Sequence, residues 1–378
     1  MQFTLVHDVE VHSPEPLGKS SVLLAGEKIA KVGSLEPDDL ARLGLGVHVL
    51  SGTDYLAVPG FIDPHAHLIG AGGEEGFASR MPEVLVSQLV SAGVTTVVGL
   101  LGTDTTTRHI ASLHAKASQL WEEGLTAYMY TGGFELPPST LTDSVLNDLV
   151  LIDKVIGTGE IAISDPRWID PPLEKLAHVV AETSLGGKMA AKAGVTHFHV
   201  GPAKGGVQLL HQLLDSYELD ASKLYATHIN RSESLLGDAI VLAKRGAYVD
   251  MDTVEEDIVE RLRYYQSHGG PPDRLTISSD AHTPKGSTRK LYEQFVACVR
   301  DHAMPIAEVL PHFTRNAATA LALKGKGTLS RGSDADLLLL HKETFEIVHV
   351  FARGHHLVSY GDQVSPSKQE AQVQAGKE

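Results

Sequence analysis

The residues best suited to chemistry in this chain are histidines and carboxylates that directly follow apolar, strand-like runs. His65 and His67 end the run that begins at Pro59, and a spacing of two places both imidazoles on the same side of an extended segment. Four histidines and two carboxylates in such positions suit one or two Zn²⁺ ions, because zinc accepts both imidazole and carboxylate ligands. These candidate ligands are His65, His67, Glu160, His199, His228 and Asp280.

The amino-acid counts restrict the kind of metal site that is possible. The 378 residues include 20 histidines but a single cysteine, Cys298. One cysteine excludes an internal disulfide framework and any zinc or iron–sulfur site built from several cysteines. With so many histidines, a pair such as His197 and His199 can arise by chance. The prediction of a metal site therefore rests on ligand-type residues that end several separate strands.

The elements that must position these residues alternate between apolar strand-like runs and helical spacings. We count eight strand–helix units between about residue 55 and residue 302, the number that a TIM (β/α)8 barrel requires. In such a barrel the residues at the carboxyl ends of the strands face one active-site mouth. The predicted strands are 57–62, 95–100, 125–130, 161–163, 196–200, 223–227, 247–251 and 275–278.

Short β-like segments flank this α/β region at both ends of the chain. We predict that residues 1–54 and 327–362 form one small, discontinuous β-sandwich domain beside a barrel of residues 55–326. The final stretch, 363–378, is polar and poor in apolar residues, and we expect it to be disordered.

The charge balance bears on the partners of the protein. Lys and Arg total 32 against 47 Asp and Glu, a formal charge of −15. Nucleic acids and anionic membranes both require a basic footprint, so we expect neither as a partner. No signal peptide and no run of roughly 18 apolar residues is evident, so we expect a cytoplasmic protein that acts on a small molecule.

Six short motifs accompany the candidate ligands. They are PGFIDPHAH at 59–67, GAGGE at 70–74, LLGTD at 100–104, AISDPR at 162–167, THINR at 227–231 and GSDADLLL at 332–339. The first and the last resemble signatures of the amidohydrolase superfamily. The other four resemble, within that superfamily, the isoaspartyl (β-aspartyl) dipeptidases, and the resemblance covers nearly the whole chain.

This resemblance implies roles for individual residues. It implies the metal ligands His65, His67, His199, His228 and Asp280. It also implies that a glutamate binds the ammonium of a β-aspartyl dipeptide and that arginines bind its two carboxylates, which suits their bidentate geometry. The residues that would bind the dipeptide are Gly72, Glu74, Thr103, Arg167 and Arg231. For either arginine an ordinary ion pair is the alternative interpretation, and the resemblance further implies a homo-oligomer.

Glu160 is the first departure from the family pattern. The family has a carboxylated lysine that bridges two zinc ions at the fourth strand, and this chain offers Glu160 there, after a glycine-rich segment that is one residue longer. A carboxylate keeps the charge of a carbamate but reaches roughly 3–4 Å less far, at about 1.5 Å per bond. The extra residue could bring the backbone closer. We therefore favour a bridging Glu160 with two ions over a Glu160 that binds one ion only.

Two further departures concern the substrate pocket. Phe134 occupies the position of a tyrosine that helps to polarise the scissile carbonyl in the family, and phenylalanine has no hydroxyl to donate. A lost donor of this kind can reduce the rate by roughly 10²–10³. His282 is a candidate replacement, although a solvent-facing loop histidine is an equal alternative. Pro284 stands where the family has a serine, which removes another polar contact.

The sequence thus supports three hypotheses. We favour a zinc-dependent hydrolase that cleaves β-aspartyl dipeptides through a metal-activated hydroxide, with Asp280 as general base and then general acid. The second is an amidohydrolase for another small amide, such as an N-acyl amino acid or a cyclic imide or ureide. The third is a metal-binding barrel that has lost catalysis, which the presence of Asp280, Glu74 and two arginines argues against.

Overall fold

The computed structural model describes residues 3–360, 362–363 and 368–375. Its strands are β1 Phe3–His12, β2 Pro16–Ala25, β3 Lys28–Gly33, β4 Val47–Ser51, β5 Tyr55–Pro59, β6 Phe61–Ala66, β7 Val94–Gly99, β8 Thr126–Thr131, β9 Val155–Ile163, β10 Val195–Val200, β11 Leu224–Thr227, β12 Tyr248–Asp252, β13 Leu275–Ser278, β14 Leu337–His341, β15 Ile347–Ala352, β16 His355–Ser359 and β17 Asp362–Gln363. Its α-helices are α1 Pro37–Arg42, α2 Val86–Ser91, α3 Ile110–Glu122, α4 Val145–Leu151, α5 Leu173–Ala190, α6 Gln208–Ser216, α7 Glu233–Lys244, α8 Ile258–Ser267, α9 Thr288–Val296, α10 Ile306–Phe313, α11 Arg315–Ala320 and α12 Lys368–Ala375.

Strands β6 to β13 form the predicted barrel. They are parallel and lie side by side in chain order, and the helices α2 to α9 alternate with them. The ring closes at the mouth, where Ala66 pairs with Ala281 and the amide of Asp280 donates to the carbonyl of His65 at 3.2 Å. Strands such as β7 and β10 are buried along their whole length, as expected for parallel strands covered on both faces. The predicted fold class is therefore confirmed.

The two chain ends build a second sheet, as predicted. Strand β5 lies between β1 from the N-terminal region and β14 from the C-terminal region, so both ends pair within one mostly antiparallel sheet. Strand β1 pairs with β4 over its first half and with β5 near its end, and it bulges between Val6 and Val9. The bulge lets the sheet turn over a small apolar core of its own.

The first predicted barrel strand, 57–62, is in fact divided between the two sheets. Gly60 separates β5 from β6, and its N–H donates to the carbonyl of Asp336 in the terminal sheet at 3.1 Å. The next N–H, that of Phe61, donates to Gly93 of the barrel at 3.0 Å. A side chain at Gly60 would overlap that of Thr95, so the change of sheet takes place where no Cβ fits.

The predicted disordered tail, 363–378, falls only partly within the described residues. Residues 368–375 form helix α12, residues 364–367 and 376–378 lie outside the description, and the predicted disorder stays a prediction. Among the described helices none combines the length and the apolar character that a membrane span requires.

Candidate metal centre and active site

All six predicted ligands lie at the mouth of the barrel, and each is buried. Four of them stand on or directly after different strands: His65 at the end of β6, His199 on β10, His228 after β11 and Asp280 after β13. His228 and Asp280 both have positive φ, 64° and 49°, although neither is glycine. Non-glycine residues in this region of φ carry strain that the surrounding structure must hold, and such residues concentrate at functional sites.

The carboxylate of Glu160 lies between two pairs of imidazoles. Its oxygens are 3.6 Å and 3.7 Å from the Nε2 atoms of His65 and His67, and 3.3 Å and 3.7 Å from Nδ1 of His199 and Nε2 of His228. The two groups His65–His67–Glu160 and Glu160–His199–His228 each bring their ligand atoms within 4.8 Å of one another. Glu160 is common to both groups.

Asp280 faces the first pair of imidazoles. Its Oδ1 is 3.2 Å from Nε2 of His65 and 3.3 Å from Nε2 of His67. Within the described residues, Oδ1 of Asp280 and Nε2 of His65 are buried and have no hydrogen-bond partner. Buried polar atoms normally find partners, and a divalent cation among them would supply one. The donor set of imidazoles and carboxylates thus fits such a cation.

Glu160 lies in a bulge of β9. Thr158 pairs with Thr196 and Ile161 pairs with Phe198, so β9 has one residue more than β10 between these positions. Gly159 occupies the bulge with φ of 150°, and a Cβ there would lie 2.5 Å from the carbonyl oxygen of His197. Glu160 is the residue that directly follows Gly159 in this bulge.

The charges of the cluster favour ionised carboxylates. Burial alone would raise the pKa of Glu160 and of Asp280, because it penalises the charged form. The surrounding imidazoles, above all that of His65, outweigh burial and hold the pKa of both carboxyl groups well below the ordinary values. Both residues are therefore available as anionic ligands.

Sequence reasoning missed the carboxylates that hold two of the imidazoles. Asp165 lies 2.9 Å from Nε2 of His199, and Asp252 lies 2.8 Å from Nδ1 of His228. In each ring the other nitrogen faces Glu160. The aspartate therefore fixes the proton on the nitrogen that points away from Glu160. Asp250 and Asp252 end the apolar strand β12 at a spacing of two, a signal that could have indicated at least one of them.

The cluster opens into a cavity of about 640 Å³. Five of the six candidate ligands, all except His65, line this cavity. The residues predicted to bind the dipeptide and the predicted pocket residue Phe134 line it as well: Gly72, Glu74, Thr103, Phe134, Arg167 and Arg231. The hydroxyl of Thr103 donates to Glu74 at 2.7 Å, and a guanidinium nitrogen of Arg167 is 3.6 Å from the same carboxylate oxygen. A carboxylate and a guanidinium this close can bind the ammonium and the carboxylate, respectively, of the same amino-acid residue of a substrate.

Arg167 and Arg231 differ in what holds them. Arg167 makes a bidentate pair with Asp165 at 3.0 Å and 2.8 Å, so this carboxylate orients both the arginine and His199. The guanidinium of Arg231 donates to the backbone carbonyl of Val200 at 2.5 Å, and among the described residues it forms no ion pair.

Phe134 and His282 do not supply the missing hydroxyl. Phe134 packs on the ring of His199 at 4.5 Å, so its ring stands beside the cluster without a polar atom. His282 is buried rather than solvent-facing, its ring lies against the backbone of Pro82, and it is not among the residues that line the cavity. The structure therefore does not bring His282 to the place where a carbonyl would need a donor. Pro284 does line the cavity.

Comparisons with known proteins identify the family of the chain. No protein-family model matches the chain. The crystal structure of a β-aspartyl dipeptidase from the thermophilic, keratin-degrading Fervidobacterium islandicum AW-1 is 38% identical, with a TM-score of 0.92 over 96% of this chain and 99% of that one. A second structure from this organism, in complex with the dipeptide β-Asp-Leu, is 36% identical, with a TM-score of 0.91 over 97% and 99%. A mutant of atrazine chlorohydrolase from Arthrobacter aurescens TC1, complexed with zinc and atraton, shares the fold at 14% identity and a TM-score of 0.67 over 99% of each chain.

A barrel with this sheet and with ligands at its mouth defines a metal-dependent hydrolase of the amidohydrolase superfamily. Because the identity of 38% extends over nearly the full length, the chain belongs to the β-aspartyl dipeptidase family. The family that the sequence motifs predicted is thereby confirmed.

Proposed function

We propose that this protein is a zinc-dependent β-aspartyl dipeptidase, which hydrolyses the amide between the side-chain carboxyl of an aspartate and the amino group of a second residue. The observation that carries this proposal is the placement of Glu74, Thr103, Arg167 and Arg231 in one cavity with the imidazole–carboxylate cluster. Such a substrate carries one ammonium and two carboxylates, which match one acidic and two basic side chains. The similar enzyme that was crystallised with β-Asp-Leu supports the same substrate class.

Two zinc ions would fit these residues, with Glu160 as a ligand common to both. His65, His67 and Asp280 would hold one ion, and His199 and His228 the other, because Glu160 presents oxygens to both pairs of imidazoles. When bound, zinc supplies Lewis acidity and lowers the pKa of a water molecule towards 7. A single ion held by Glu160 and one pair of histidines is the alternative arrangement.

The side chains of the cavity perform the remaining steps. Glu74 accepts hydrogen bonds from the ammonium of the aspartyl residue, and Arg167, 3.6 Å away, donates to its α-carboxylate. Arg231 donates to the carboxylate of the leaving residue. Asp280 accepts a proton from the attacking water and passes it to the leaving nitrogen, so that the amide C–N bond breaks and aspartate and a free amino acid result.

Phe134 favours a second candidate function. It lies against His199 without a hydroxyl, and His282 does not reach the cavity. A substrate with a more reactive carbonyl, such as a cyclic imide or ureide, would need a hydroxyl donor less than a dipeptide does. An N-acyl amino acid would lack the second carboxylate of the dipeptide.

A substrate panel distinguishes the two candidates. The zinc-loaded enzyme is assayed with β-Asp-Leu, with N-acetyl-leucine and with dihydroorotate at equal concentrations, and the metal content of the same sample is measured. The dipeptidase proposal predicts the highest kcat/KM for β-Asp-Leu. Hydrolysis of one of the other two compounds by a loaded enzyme that leaves β-Asp-Leu intact contradicts it.

A further inference from the structure

His197 lies directly beneath the candidate metal centre, although neither the motifs nor the proposed function gives it a role. It stands on β10 two residues before His199 and is fully buried. Its Nε2 is 2.8 Å from Nδ1 of His65. Its ring stacks on that of Tyr130 at 5.0 Å with an angle of 15°, and it meets the ring of Tyr225 at 4.7 Å and 61°.

This contact completes a pattern among the candidate ligands. His199 and His228 are each held by a carboxylate at the nitrogen that points away from Glu160, whereas His65 is held by an imidazole. The other nitrogen of His65, Nε2, faces Asp280 at 3.2 Å and Glu160 at 3.6 Å. For Nε2 to offer its lone pair to a cation, Nδ1 must carry the proton. Among the described residues, its acceptor is then Nε2 of His197.

We propose that His197 is a positioning residue for the metal centre, which accepts the hydrogen bond from His65 and thereby fixes the rotamer and the tautomer in which His65 binds metal. The two tyrosine rings prevent the His197 ring from turning away, because one is stacked on it and the other meets it edge-on. Partners of this kind typically contribute 10- to 100-fold to metal affinity. The inference rests on the metal centre of the proposed function.

The alternative is that His197 merely fills the space between Tyr130 and Tyr225. An aromatic residue of similar size would then replace it without effect on metal binding. The chain offers a matched control in Tyr225, which packs on the same imidazole and whose hydroxyl lies 2.6 Å from that of Thr276. Tyr225→Phe removes a buried polar contact at the same depth of the barrel but leaves the partner of His65 in place.

The test compares His197→Phe, His197→Gln and Tyr225→Phe in the full-length protein. Zn²⁺ affinity is measured by competition with a chromophoric chelator, the visible spectrum is recorded with Co²⁺, and the thermal unfolding of the metal-free proteins is followed. We expect His197→Phe to bind Zn²⁺ about 10- to 100-fold more weakly with an altered Co²⁺ spectrum. His197→Gln, whose amide oxygen can accept, should recover part of the affinity, and Tyr225→Phe should bind metal as the wild type does.

Wild-type affinity and a wild-type Co²⁺ spectrum in His197→Phe would overturn the positioning role while leaving the proposed function intact. If His197→Phe does not fold, His197→Leu takes its place, and equal affinities of His197→Leu and His197→Gln would likewise overturn it. Failure of the wild-type protein itself to bind Zn²⁺ or Co²⁺ would instead contradict the proposed metal centre, and this inference with it.

Discussion

At the scale of single residues, Glu160 accounts for most of what is unusual in the candidate centre. Its carboxylate lies 3.3–3.7 Å from two pairs of imidazoles, and the residue stands in a bulge of β9. A glutamate carboxylate is available as a ligand without further reaction, whereas a lysine must first react with carbon dioxide to become carboxylated. The identity of this residue therefore predicts how the metal centre assembles.

The first prediction concerns bicarbonate. Metal-free protein reconstituted with Zn²⁺ should reach the same rate of β-Asp-Leu hydrolysis in buffers with and without added bicarbonate, because no lysine needs carboxylation. The same reconstitution of Glu160→Gln serves as the control and should give little activity, since the bridging charge is absent. A strong bicarbonate requirement of the wild type would rule out Glu160 as the bridging ligand.

The second prediction concerns Asp280, which we propose as the proton acceptor. Asp280→Asn keeps the shape of the side chain but cannot accept the proton, so kcat should fall by at least about 10²–10⁴. Elemental analysis should still find part of the metal, because the other ligands remain. Asp273→Asn, at an exposed side chain paired with Arg274, is the matched control and should retain full activity. Comparable activity of the two variants would exclude Asp280 from proton transfer.

The candidate ligands could be predicted from the sequence, but the residues that hold them could not. A candidate ligand can be recognised in the sequence by its residue type and by its position near the end of a strand, as with His65 and Asp280. Asp165, Asp252 and His197 matter through distances of 2.8–2.9 Å to residues 24–132 positions away in the chain, and only the closed barrel defines those distances. His282 illustrates the opposite error, because proximity to Asp280 in sequence does not bring its ring into the cavity.

At the scale of elements, the transition from β5 to β6 joins the terminal sheet to the barrel. The sequence pattern predicted one strand, 57–62, because apolar residues continue through Gly60 without a turn signal. Similarly, helical spacing of apolar residues covers 81–92, but helix α2 begins only at Val86. The loop before it contains Gly70, Gly72 and Gly73 with positive φ and lines part of the cavity. Periodicity identifies the elements, but their ends depend on contacts that are distant in sequence.

The third prediction tests the Gly60 transition. Gly60→Ala would place a methyl group against the side chain of Thr95, and overpacking of this kind destabilises by about 1–3 kcal/mol. Urea unfolding should show this loss, while Gly46→Ala, where a Cβ meets nothing within 4 Å, should leave the stability nearly unchanged. Equal stabilities of the two variants would mean that the structure accommodates a methyl group at Gly60 without cost.

At the scale of the whole molecule, the barrel and the terminal sheet are joined by buried charges as well as by the chain. Lys326 is buried, and its Nζ lies 2.9 Å from Asp334, 2.6 Å from Asp336 and 2.7 Å from the hydroxyl of Thr126 on β8. The overall architecture was the most predictable feature of the chain, because eight strand–helix units and two flanking β regions leave few other folds. The net charge of −15 did not indicate which charged side chains line the cavity, where two arginines are found.

The fourth prediction concerns the pH dependence of stability. Burial lowers the pKa of His312 from 6.5 to about 4, and its Nδ1 donates to the carbonyl of Leu275 at 3.1 Å. Because the folded-state pKa lies below the unfolded one, the unfolded chain binds more protons between these values, and stability is lost as the pH falls through 6.5 towards 4. This residue should account for about 2 kcal/mol between pH 7 and pH 5.

Urea unfolding at several pH values checks this prediction. The free energy of unfolding of His312→Gln should fall less steeply from pH 7 to pH 5 than that of the wild type, whereas His178→Gln, at an exposed position of α5, should retain the wild-type slope. Identical slopes in all three proteins would show that His312 is not held neutral in the fold.

The most direct test of the account is a zinc titration of the metal-free protein in which bound metal and the initial rate of β-Asp-Leu hydrolysis are measured on the same samples. Two groups of ligand atoms that share Glu160 predict that two Zn²⁺ ions bind per chain and that the rate rises with occupancy to a plateau. A protein that binds zinc to completion and leaves β-Asp-Leu uncleaved would contradict the dipeptidase function, and a protein that cleaves it equally well without metal would contradict the proposed centre.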